Sequence, residues 1–153
     1  HKLELARRFG ADHTLVVDGP DAVDVVEAVQ DLTGGAGADV VLELTPMAHA
    51  PVEQALLAAK HGGTVVLAGL KGNAQVPLRT DLIINRALIV RGAYGVDAKG
   101  YADAIAIIES RRFPLEELHT HTFGLEGTDL AIRTAGGEVD GEQAVHVSVH
   151  PNG

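Results

Sequence analysis

No cysteine occurs in the 153 residues, which excludes disulfides and any thiolate metal site within the chain. Serine is almost missing as well: Ser110 and Ser148 are the only two, and neither stands on the G-x-S-x-G turn of a hydrolytic nucleophile. No apolar run approaches the ~18 residues that a membrane-crossing helix needs, so a soluble globular chain is expected. Positive charge is in deficit. Twelve Lys and Arg against 21 Asp and Glu leave a net charge of −9, which argues against a surface for nucleic acid or anionic membrane. Methionine is reduced to Met47, and the opening HKLELARRFG shows neither an initiator Met nor the apolar core of a secretory signal. The expectation is a piece of a longer protein that begins inside a helix, with a core large enough for one domain.

What is present begins with glycine. Thr33–Val41 reads TGGAGADVV, close to the loop that wraps a dinucleotide pyrophosphate. That loop requires a strand, a glycine turn and then a helix whose first N–H groups meet the anion. Here a helical pattern enters the glycines and a strand pattern leaves them, and Val40 stands where the third glycine of G-x-G-x-x-G belongs. These glycines read instead as a helix end leading into a buried strand.

The same cycle recurs along the chain. Lys2–Phe9 is helical and stops at Gly10; Thr14–Val17 is a short β-branched run. Asp21 is placed to cap a helix carrying Val25, Val26, Val29 and Leu32 at helical spacing, ended by Gly34. Ala38–Leu44 is nearly all apolar, the pattern of a parallel strand covered on both faces. Pro51 starts a helix with Val52, Ala55, Leu56 and Ala59 on one stripe, which Gly62-Gly63 is expected to close. Strand patterns follow at Thr64–Leu70 and Ala87–Gly92, with a short DLIIN helix between them. A helix marked by Tyr101, Ala104, Ile105 and Ile108 stops near Pro114, and the texture then changes to HTHTF, a short helix around Leu130 and a last strand from Ala144 to Val149. Alternating helices and strands joined by short connections predict a parallel α/β sheet. A boundary near Gly95 divides 1–95 from 96–153.

The ordered segments KLELARRFGADH, LTGGAGADVVLELT, HGGTVVLAGL, TDLIINRALIVRGAYG, FPLEELHTHTFGLEGTDLAIRTAGGE and AVHVSVHP together resemble the C-terminal half of zinc-type medium-chain alcohol dehydrogenases. The resemblance implies a partial Rossmann-like parallel sheet: strands 3 to 6 are present, Thr14–Val17 serving as strand 3, while strands 1 and 2 and the glycine fingerprint are missing. Residues 1–95 would be the partial NAD(P)-binding domain. Residues 96–153 would hold its last helix and a segment returning to the catalytic domain. It further implies NAD or NADP as cofactor, a small alcohol or carbonyl substrate, a cytoplasmic homo-oligomer, and a zinc whose ligands lie outside this chain. No catalytic residue is expected here, and these residues alone should be inactive, and either marginally stable or collapsed with strand 3 misplaced. A stand-alone nucleotide-binding or dimerisation module is the alternative.

Carried over residue by residue, the resemblance puts Lys2 against the adenosine ribose, although an ordinary solvated helix lysine is the favoured reading of the residue itself. Leu44 and Thr45, beyond the carboxyl end of a strand, would touch adenine and ribose. Pro46 stands where the family usually has glycine. Ala68, Gly69 and Leu70, with Gly92, Ala93 and Tyr94, would flank the nicotinamide; the glycines serve either close approach of a ring or a tight strand exit. His146 would stand near the pyrophosphate, or simply face solvent. Glu43 reads as structural. His119-x-His121 could chelate a metal, but two ligands are not a site.

Overall fold

The computed structural model describes residues 1–151. Its elements in chain order are α1 (Lys2–Arg8), α2 (Val25–Leu32), β1 (Ala38–Glu43), α3 (Ala50–Ala58), β2 (Ala59–Leu67) and α4 (Thr80–Asn85). There follow β3 (Ile89–Gly92), α5 (Ala98–Ser110), β4 (His119–Gly124), α6 (Thr128–Ala135) and β5 (His146–His150). Contacts divide the chain into two compact units, Leu15–Gly95 and His1–Thr14 with the residues from Val96 onward.

In the unit Leu15–Gly95 the three apolar strands are neighbours in the order β1-β2-β3, and both pairs are parallel. Val41, Val65 and Val90 lie in register across the sheet and so share a face. On that face Ala55 and Leu56 of α3, with Leu88, close over Val65, and Leu82 and Ile83 of α4 pack at the margin. Leu56 and Val65 are the largest side chains fully withdrawn from water.

Four local expectations change. Thr14–Val17 forms no strand; the Val16 carbonyl instead accepts from Val23 N at 2.9 Å. A β-branched run becomes a strand only when a neighbour supplies ladder partners. The cap of α2 is Asp24, not Asp21: Asp24 Oδ1 accepts from Val26 N at 2.8 Å and Glu27 N at 2.9 Å. Gly62-Gly63 does not close α3, which ends at Ala58. The Arg86 guanidinium replaces it, donating to the carbonyls of Leu57 at 2.7 Å and Ala59 at 2.6 Å. Residues 60–63 then bulge opposite Asp39 before β2 regains register at Thr64. Finally, β1 is covered on one face rather than two. Val40 and Leu42, on the opposite side from Val41, remain more than half exposed.

The opening glycines do end a helix. Gly34 and Gly35 take φ of 61° and 87° after the Thr33 cap. Gly37 serves packing, since a Cβ there would lie 2.8 Å from both Ala58 O and Lys60 N.

In the second unit, β4 and β5 pair in parallel and α6 packs against them, burying Ala131 and Thr134. Arg8 of α1 pairs with Glu117, and the Phe9 and Phe113 rings stack at 6.1 Å. Helix α5 is capped by Asp97 and ends at Arg111 in a left-handed conformation. Its Tyr101, Ile105 and Ile108 remain exposed.

Candidate functional site

Parallel strands end together, so their carboxyl ends form one edge of the sheet. Glu43 registers with Leu67, and Leu67 with Gly92. The residues just past these positions, Leu44-Thr45, Ala68-Gly69-Leu70 and Ala93-Tyr94, therefore emerge side by side. Backbone bonds tie the three exits: Ala68 N and Gly69 N donate to Glu43 O at 2.9 and 3.1 Å, Met47 N to Leu70 O at 2.9 Å, and Ala93 N to Leu67 O at 3.0 Å.

One charge pair lies beneath this edge. Glu43 is buried, and its carboxylate receives Lys71 Nζ at 3.0 and 2.9 Å and Thr45 N at 2.9 Å. Lys71 also donates to the Thr45 carbonyl. Every polar group of this pair is partnered, which a buried charge requires. Lys71 went unrecognised in the sequence. The signal was indirect: Glu43 is the one charge inside VVLEL, and a charge at a buried strand position demands a cation from elsewhere.

The two glycines of the edge differ. A Cβ on Gly69 would stand 2.5 to 2.8 Å from the backbone of Thr45, so this glycine permits close approach of β1 and β2 exits. A Cβ on Gly92 would meet nothing within 4 Å. Space above Gly92 is open to a ligand. Leu70 and Tyr94 at the β2 and β3 exits, and Leu44 at the β1 exit, present exposed apolar surface, suited to a flat ring. An apolar hollow of about 640 Å³ reaches the same edge at Thr45, lined by Val17, Val23, Val29, Val40 and Leu42.

Eight of the ten expected cofactor residues thus share one edge: Leu44, Thr45, Ala68, Gly69, Leu70, Gly92, Ala93 and Tyr94. Lys2, exposed on α1, and His146, the first residue of β5, belong to the other unit. The His146 ring lies 5.8 Å from that of His119. His119 Nε2 is 2.8 Å from Ser148 Oγ, and His121 Nε2 is 2.9 Å from Glu142 Oε2. A register shift separates His119 from His121 in the ladder, which breaks the regular alternation. Among the described residues no three His, Asp or Glu side chains gather as metal ligands do.

A family model described as zinc-binding dehydrogenase matches residues 1–110. The chain belongs to the zinc-binding dehydrogenase family. A probable alcohol dehydrogenase of Mycobacterium tuberculosis H37Rv is 38% identical over 152 residues, covering 98% of this chain and 40% of that protein. The L-threonine 3-dehydrogenase of Symbiobacterium thermophilum is 35% identical over 133 residues, covering 77% of this chain and 36% of its own length. Among solved structures, a zinc-binding dehydrogenase of Sinorhizobium meliloti 1021 bound to NADP superposes with a TM-score of 0.78 at 27% identity, over 98% of this chain and 42% of that one. This chain therefore spans about two fifths of the length of the relatives it matches. The parallel α/β unit is the Rossmann-like kind found in alcohol dehydrogenases.

Proposed function

We propose that this chain supplies the nicotinamide side of the cofactor site in an NAD(P)-linked, zinc-dependent alcohol dehydrogenase-like oxidoreductase. Its substrate would be a small alcohol or carbonyl compound. The observation that carries the reading is the open space over Gly92, set among exposed apolar residues where three parallel strands end. Gly92, Ala93 and Tyr94 would lie along the nicotinamide with Ala68, Gly69 and Leu70, while Leu44 and Thr45 would meet the adenosine end. Bound there, the dinucleotide would accept or release a hydride at nicotinamide. The residues of this chain would hold and orient it and shield it from water. Roles for Lys2 and His146 toward ribose and pyrophosphate rest on the family likeness alone.

Zinc does not fit this chain in the same way, because the described residues bring no ligand set together. By this division of labour, residues 1–153 alone would show no turnover. Homo-oligomeric assembly would find a place at the outer edge of β3, which among the described residues pairs only with β2.

The test is Gly92→Val, introduced into the full-length protein. Its side chain enters open space, so the unfolding midpoint should hold. Affinity for NADH or NADPH, whichever the wild type takes, should fall by roughly tenfold or more as the branched side chain displaces the ring. Unchanged affinity in a folded variant would remove the nicotinamide from this edge.

A further inference from the structure

We infer that Lys71 is a positioning residue for the cofactor edge, acting through Glu43 and Thr45 rather than as a cation offered to the ligand. The inference rests on the cofactor reading above. A lysine one residue past Leu70, at the rim of a nucleotide site, would ordinarily be assigned to a phosphate. Its surroundings argue otherwise. The Lys71 side chain is 11% exposed and that of Glu43 2%. An ammonium has three N–H donors, and three acceptors stand around this one: both Glu43 carboxylate oxygens and the Thr45 carbonyl. No donor is left for an incoming anion.

The same contacts show what the lysine controls. Glu43 Oε1 takes Thr45 N at 2.9 Å while the Glu43 carbonyl takes Ala68 N and Gly69 N. The Leu70 carbonyl takes Met47 N, and Gly69 leaves no room for a Cβ against Thr45. One buried pair therefore fixes the exits of β1 and β2 as a single piece that carries Leu44, Thr45, Gly69 and Leu70. Such a pair contributes little net stability but strongly penalises loss of one partner, which leaves a buried charge unpaired. In a Lys71→Met variant the Glu43 carboxylate must take up a proton or reach water, and either change disturbs the contacts that join Thr45 to the Leu70 exit.

Binding of NADH and NADPH is measured in the full-length protein by fluorescence titration for the wild type, K71M and E43Q/K71M, across a salt series, alongside urea unfolding. K71M should bind the preferred cofactor roughly tenfold more weakly. The double variant should return to within about twofold of wild type, because the introduced side-chain amide keeps an acceptor for Thr45 N and leaves no unpaired charge buried. Salt dependence should match the wild type in both variants. If K71M does not fold, K71R replaces it, with weaker binding expected because a planar fork does not reproduce the three contacts of a compact ammonium. A lysine that touches the cofactor phosphates would leave the double variant as weak as the single one, with a shallower salt slope. A merely structural lysine would lower the urea midpoint and leave affinity unmoved. Either result overturns the inference while the cofactor reading stands. A wild type that binds neither nucleotide overturns both.

Discussion

Gly69 and Gly92 both stand where neighbouring strands end, Gly92 level with Leu67 and Gly69 two residues beyond it, and they are constrained by different neighbours. Gly69→Ala would press a Cβ into the Thr45 backbone, where a side-chain rotation gives no relief. We expect a loss of about 1–3 kcal/mol, typical of overpacking, read from urea midpoints. Gly92→Ala meets open space and should leave the midpoint unmoved. Sequence alone leaves the two glycines indistinguishable, because a close approach involves residues on another strand. The charged residues show the same limit: Glu43 announces a need for a partner, but only the folded chain names Lys71. At the far end of β1, Asp39 has its carboxyl held below the usual aspartate range by a hydrogen bond from Lys60 and by that ammonium's charge. A lowered folded value contributes stability above the unfolded aspartate range and loses it as pH falls through the folded value. Wild type and Asp39→Asn should therefore differ slightly in stability above about pH 4 and converge below it. The side chain is exposed, so added salt should shrink that small difference.

Elements were legible where their signal was local. The apolar stripe of α3, the runs of β1, β2 and β3, and the left-handed glycines after α2 are each written within a short stretch of chain. Boundaries were harder. Asp21 and Asp24 are equally good caps by type, and only the turn through Ala22 and Val23 decides that Asp24 meets the free N–H groups of α2. The end of α3 is set from a distance: Arg86, 27 residues beyond Ala59, satisfies the carbonyls that a following glycine was expected to manage. Arg86→Ala would remove the side-chain donor of the Ala59 carbonyl and leave the Leu57 carbonyl only the longer contact from Gln30 at 3.5 Å, in a half-buried setting. We expect a loss of about 1–3 kcal/mol, seen as a lower urea midpoint with an unchanged slope. Arg86→Lys should recover only part of it, because an ammonium does not reproduce the fork that spans Leu57 and Ala59.

For the molecule as a whole, the alternation of helices and strands made the parallel α/β class readable. The same periodicity did not reveal which apolar positions would be covered. A strand with apolar residues on both sides reads as fully buried, and β1 does, but α3 and α4 pack on the face of Val41, Val65 and Val90 alone. The other face keeps Val40, Leu42 and Ile89 at 56%, 60% and 59% exposure. Among the described residues β1 also pairs only with β2, so its second edge carries unpaired backbone groups beside that bare face. An apolar face next to an open strand edge invites association. The 153-residue chain should therefore self-associate, and sedimentation velocity over a concentration series should show mass rising with concentration. Leu42→Lys with Val40→Thr leaves the Leu56 and Val65 core untouched, and it should hold the chain monomeric at concentrations where the wild type associates. Equal association by both would mean that another surface, not this face of the sheet, holds the copies together.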